Sequence, residues 1–321
     1  MVLSYNIVIA NANHSHKGGP FLKTRLALCL CILMPVMLLI SACGNETGID
    51  RSEDDTFHIV TSFYPMYVFT ANITQNIDGV SVENMTEPQT GCLHDYELSP
   101  ADMKILEKAD VFVINGAGME SFMDEVKKAY PNLPVIEASE GITLIKDPEG
   151  EDNPHVWVGI SGAITEVKNI SDGLVKADPD HAQQYVANAD AYLKRLEDQK
   201  AKMHNALKDI TRRDIITFHE AFPYFAQEFD LDIVAIIERE PGTEPTATEL
   251  AETIEIIKAN DVTALFVEPQ YSTKVAETLA TETGIGIYTL DPFVTGPKNA
   301  DPESYIKTMD VNLNTLLEAL K

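Results

Sequence analysis

Residues 178–210 read DPDHAQQYVANADAYLKRLEDQKAKMHNALKDI, with no glycine and a single proline, Pro179, at the start. Tyr185, Ala189, Tyr192 and Leu196 recur at helical spacing, and Met203 and Leu207 continue the same stripe. The pattern predicts one helix of about 31 residues, about 46 Å long at 1.5 Å per residue. Asp178 suits its N-cap and Pro179 its first turn, and His181 and His204 are expected on its solvated side. A rod of that length between two folded bodies resists hinge bending.

On both sides of this segment, short β-branched or aromatic runs alternate with helical patterns. Upstream, strands are predicted at 57–62, 80–86, 111–115 and 134–137; downstream, at 214–218, 232–237, 263–267 and 286–290. The fold class is therefore α/β. Two similar lobes, each a mostly parallel four-stranded sheet with flanking helices, are joined by one long rigid backbone helix. The expected division is an N-terminal lobe at 57–160, a linking helical segment at 161–211 and a C-terminal lobe at 212–321.

Nearer the start, Lys23 and Arg25 precede an apolar run from Leu26 to Ile40, which ends in Ile40-Ser41-Ala42-Cys43. At 15 residues the run falls short of the about 20 needed to span a bilayer. Basic, apolar and small-residue regions in that order make a secretory signal over 1–42. The cysteine after the small pair resembles a bacterial lipobox, which implies acylation of Cys43 and a polar tether over 43–56. Cys29 and Cys31 leave with the signal, so Cys92 has only Cys43 as a disulfide partner, and stability must come from a large core. The net charge of −26 becomes −29 in the mature chain, because Lys17, Lys23 and Arg25 leave with no acid. No basic stripe remains, which excludes nucleic acid as a partner.

Eight histidines are present, two of them (His14, His16) inside the leader. His58 falls in the first strand, and it and the two helix histidines read as structural. The other three follow predicted strands: His94 in Gly91-Cys92-Leu93-His94-Asp95-Tyr96-Glu97, His155 in Asn153-Pro154-His155-Val156-Trp157, and His219 in Thr217-Phe218-His219-Glu220. Glu268 and Asp291 also follow strands. In open parallel sheets ligands bind beyond the carboxyl ends of strands, so these side chains converge on one cleft between the lobes. Three imidazoles and a carboxylate suit zinc, whereas manganese favours more oxygen. Four protein donors close the site, which favours binding over hydrolysis. A thiolate at Cys92 could bind zinc too, but residues i and i+2 in a loop often point apart. Cys92 is therefore read as a buried or half-buried thiol, with metal contact the lesser alternative.

Leu93-His94-Asp95-Tyr96-Glu97, Asn153-Pro154-His155-Val156-Trp157, Phe218-His219-Glu220-Ala221-Phe222-Pro223-Tyr224-Phe225, Phe266-Val267-Glu268-Pro269-Gln270 and Leu290-Asp291-Pro292 together resemble the zinc/manganese solute-binding lipoproteins of bacterial ABC importers. The resemblance runs from about Ile59 to the C-terminus, with the motifs in order. It implies metal held between two α/β lobes by His94, His155, His219 and Asp291, with Glu268 orienting an imidazole through its other nitrogen. It implies the permease of an ABC importer as partner, an extracytoplasmic location and anchorage through lipid on Cys43; a monomer is expected. Zinc members of the family tend to carry His at the third position and manganese members Glu, and here it is His219. Zn2+ is thus the expected cargo and Mn2+ the alternative. One departure stands out: the 60 residues between His94 and His155 contain no histidine, where many zinc members carry a His-rich loop.

Two readings from other classes remain. A zinc-dependent hydrolase would use Glu220 or Glu268 as a base, but no HExxH helix, Gly-x-Ser-x-Gly elbow or phosphate loop is present. A surface adhesin, a role proposed for some members of the family, would not need a completed metal site.

Overall fold

Every predicted β-branched run becomes a strand. The structure, a computed structural model, describes residues 56–321 apart from 88, 89, 91, 95, 148, 149, 238–244 and 300. The expected leader, Cys43 and nearly all of the tether lie outside the described residues.

In the first half, β1 (Phe57–Thr61), β2 (Val80–Asn84), β3 (Val111–Ile114) and β4 (Val135–Glu137) pair in parallel in the order β2-β1-β3-β4. Helices α1 (Tyr64–Ile73), α2 (Pro100–Leu106) and α3 (Met123–Ala129) connect them. Two long helices follow, α4 (Ile160–Ala177) and α5 (Ala182–Leu207). In the second half, β5 (Asp214–Thr217), β6 (Asp232–Ile236), β7 (Ala264–Val267) and β8 (Gly286–Thr289) repeat the arrangement as β6-β5-β7-β8, again all parallel. Their helices are α6 (Pro223–Phe229), α7 (Ala247–Asn260), α8 (Lys274–Thr283) and α9 (Ser304–Ala319). The inner strands β3 (VFVI) and β7 (ALFV) are buried along their whole length, as expected of parallel strands covered on both faces.

The long helix is shorter at its start than its sequence suggests. Pro179–His181 form a separate 3-10 turn, and α5 runs for 26 residues, about 39 Å. Asp178 makes no side-chain cap. Its Oδ2 accepts instead from His181 Nδ1 and Tyr185 Oη, both at 2.6 Å. That carboxylate tethers the turn, and His181 is drawn in against it rather than lying on the solvated side. The apolar stripe from Tyr185 to Leu207 is buried as expected, and α5 packs against α1, α4, α6 and α9, so it touches elements of both lobes.

One continuous apolar core consequently runs through the first sheet, the α4–α5 pair and one face of the second sheet. The other face of the second sheet has its own small core. Successive residues of a strand point to opposite faces: Ile215, Ala264 and Phe266 join the large core, whereas Ile216, Leu265 and Val267 join the small one with Ile257 and Leu279.

Candidate metal centre

The carboxyl ends of both sheets meet at one place, and loops leaving them supply the polar groups there. His155 is set by a relay of buried side chains. Glu120 accepts through Oε1 from the Ser62 hydroxyl (2.8 Å) and Asn115 N–H (2.8 Å), and through Oε2 from Gly116 N–H (3.0 Å). Burial pushes its carboxyl up to about 7 in spite of these donors. Gly116 has φ +81°, and a Cβ there would lie 2.2 Å from Glu137 Cγ, so glycine alone fits. Held in this way, Asn115 donates from Nδ2 to Pro154 O at 3.0 Å and fixes the loop that carries His155.

Asn153 completes the setting. Its Oδ1 accepts from His155 N–H (3.0 Å) and from His155 Nδ1 (3.1 Å). That places the ring proton on Nδ1 and leaves the Nε2 lone pair aimed into the site. The Asn153 Nδ2 donates to Glu220 O at 2.9 Å, and Tyr224 Oη donates to Asn153 O at 2.7 Å. Trp157 Nε1 donates to Pro292 O (2.8 Å), and Tyr305 Oη to Trp157 O (2.8 Å). The loop bearing His155 is thus tied to both lobes.

His219 stands two residues beyond β5, buried, with Nδ1 3.5 Å from Glu268 Oε1 just beyond β7. The other Glu268 oxygen accepts from Gln270 Nε2 at 2.6 Å. Burial raises the Glu268 pKa, and His219 partly offsets that. This carboxylate faces one imidazole nitrogen at ion-pair distance and leaves the other to the site.

Four donors converge. Ligand atoms of Cys92, His94, His155 and His219 all lie within 4.8 Å of one another. The Nε2 atoms of His94 and His155 are 3.4 Å apart, and Cys92 Sγ is 3.5 Å from His155 Nε2. Cys92 and His94 converge, contrary to the expectation that their side chains point apart. Burial, then the neighbouring His219 and His94, hold the His155 pKa well below its ordinary value, so it stays neutral and ready to donate its lone pair.

Asp291 follows β8 but is not part of this group. Its Oδ1 accepts from Phe293 N–H at 2.8 Å, burial raises its pKa, and its charge reaches Glu268. His58 pairs with Ser81 (2.8 Å), as a structural histidine should. Above the donors opens a cavity of about 450 Å³ whose rim carries Asp147, Glu151, Asp152 and Glu220. Lys146 offsets one of these charges through Asp152 at 2.6 Å. The rim still favours cations entering from water.

The structure brings the three expected histidines together with Glu268 beside His219, whereas the supporting Asn115, Glu120 and Asn153 were not among the expected site residues. The adjacency of Asn153 to Pro154-His155 was the only available signal among them.

Two parallel lobes with nitrogen donors from both at their junction define a cleft-type metal-binding protein. The family described as "Zinc-uptake complex component A periplasmic" matches residues 59–319, and the chain belongs to that family. It is 33% identical over 313 residues to the high-affinity zinc uptake system protein ZnuA of Bacillus subtilis (strain 168), covering 91% of this chain and 97% of that one. It is 30% identical over 298 residues to the manganese-binding lipoprotein MntA of Halalkalibacterium halodurans, covering 90% and 97%. Among solved structures it resembles the laminin-binding protein Lmb of Streptococcus agalactiae, described as a bifunctional protein with adhesin and metal-transporting activity. That likeness has a TM-score of 0.74 and 29% identity, over 83% of this chain and all of that one.

Proposed function

We propose that this chain is the extracytoplasmic, lipid-anchored receptor of an ABC importer. It captures one zinc ion between lobes 57–160 and 212–321 and presents it to the membrane permease. The observation that carries this reading is the convergence of three imidazoles from both lobes, one of them held neutral with its Nε2 aimed inward. In this reading His94, His155 and His219 replace the hydration shell of the ion, and Glu268 keeps His219 oriented. Cys43, by its place after the small pair of the leader, carries the lipid. The similarity to a manganese-binding lipoprotein makes manganese the competing cargo. Imidazole nitrogen in the donor group, in place of further carboxylate oxygen, favours zinc. Capture rather than hydrolysis requires a fourth protein donor to close the coordination sphere that three imidazoles leave open.

The resemblance supplies Asp291 as the fourth donor. Its carboxylate lies outside the donor group here, so ligation through Asp291 requires it to come closer to the histidines.

Residues 53–321 form a compact unit of their own, so soluble protein beginning at Glu53 is the material for the test. Stripped by chelator, it is titrated with zinc and manganese in competition. Tight one-to-one zinc binding with manganese displaced supports the reading. Preference for manganese would overturn the cargo, and tight binding of neither metal would overturn the receptor role.

A further inference from the structure

We propose that Cys92, as a thiolate, is the fourth ligand of the captured ion and takes the place that the family resemblance gives to Asp291. The inference rests on the zinc-receptor reading above and deepens it.

The distances support it. In a tetrahedral site with metal–nitrogen bonds of about 2.05 Å and metal–sulfur bonds of about 2.3 Å, two nitrogens lie about 3.3 Å apart and sulfur lies about 3.5 Å from nitrogen. The two recorded separations are 3.4 Å for His94 Nε2 to His155 Nε2 and 3.5 Å for Cys92 Sγ to His155 Nε2. All four donors fall within 4.8 Å, so the widest-spaced of them must draw in by about 1 Å for one ion to bond to each. The thiol is not a lone cysteine beside a surface. It shares its centre with His155 and His219, both almost completely buried and aimed into the same space. Cys92 itself is half-buried and packs at the edge of the main core, so its backbone is held where the sulfur meets His155.

Asp291 fits the fourth position less well. One of its oxygens is engaged by Phe293 N–H, and the carboxylate is outside the donor group. Cys92 Sγ already stands 3.5 Å from His155 Nε2, the separation of two donors on one tetrahedral ion.

The chemistry balances simply. As the ion enters, its waters depart, a metal–sulfur bond forms, and the thiol proton passes to solvent. A thiolate is a soft donor, so a His3Cys set discriminates against manganese more strongly than a His3Asp set does.

The test uses purified protein, stripped by chelator and loaded with cobalt as a spectroscopic stand-in for zinc. Wild type is expected to show a thiolate-to-cobalt charge-transfer band in the near ultraviolet. Asp291→Asn should keep the band. Cys92→Ser should lose it and bind zinc at least tenfold more weakly while still binding through three imidazoles. X-ray absorption at the zinc edge of the wild-type protein checks the same point without any variant: one sulfur scatterer among nitrogens is expected. Tight zinc binding with no charge-transfer band and no sulfur scatterer would overturn the Cys92 assignment and leave the receptor reading standing. Failure of wild type to bind cobalt or zinc at all would overturn both.

Discussion

The two lobes share a sheet order and differ in how they hold their donors. In the N-terminal lobe the donors ride on loops: Cys92 and His94 on the connection between β2 and α2, His155 on the one after β4. Precision there comes from the Glu120–Asn115–Asn153 relay. In the C-terminal lobe His219 stands almost at the end of β5, and a neighbouring strand end supplies Glu268 directly. Loop-borne donors need a network, and strand-end donors need one partner. The cores differ in the same sense. The N-terminal lobe shares the large core through α4 and α5, whereas the outer face of the C-terminal sheet rests on a separate small cluster. The same topology therefore gives one firmly embedded half and one with a lightly held outer layer.

Removing a donor from either lobe is the largest blow to this picture. His155→Ala and His219→Ala should each weaken zinc binding well beyond the about tenfold to hundredfold loss typical of an orienting partner, measured by competition with a chelator. If one substitution were harmless, the ion would belong to a single lobe.

Next come the cores. Leu106→Ala, in the large core, should cost towards the upper end of about 2–5 kcal/mol. Leu279→Ala, in the small cluster, should cost towards the lower end of that range. Denaturant unfolding of the metal-free protein compares them, and equal costs would erase the distinction between firm and light halves. The orienting carboxylate follows: Glu268→Gln should weaken zinc binding about tenfold to hundredfold with little change in fold. An unchanged affinity would mean that His219 needs no partner.

The smallest effect is on pH. The folded-state pKa of His155 is depressed below its unfolded value of about 6.5. Between the two values the unfolded chain holds more protons, so metal-free stability rises with pH through that window and falls as pH drops below about 6.5. Thermal unfolding of wild type and His155→Gln across that range should show a shallower slope in the variant.

The strands were legible because buried parallel strands are written as short continuous apolar runs, as in Val111–Ile114 and Ala264–Val267. The long helix was legible from its stripe, but its start was not. Asp178 and Pro179 resemble a capped first turn, and nothing local reveals that Tyr185 and His181 would claim the carboxylate. His94, His155 and His219 stood out because histidine after a strand is chemically conspicuous. The relay did not: Glu120 reaches Asn115 and Ser62, and Asn115 reaches Pro154 39 residues away, through contacts that only the folded chain creates. Cys92 was visible, yet i, i+2 spacing does not encode side-chain direction in a loop.

Whether both lobes grip one ion is decided by anomalous diffraction at the zinc edge from crystals of the zinc-loaded protein. A single strong peak enclosed by His94, His155 and His219 is expected. A peak held by one lobe alone, or seated on Asp147 and Glu151 at the rim, would contradict it.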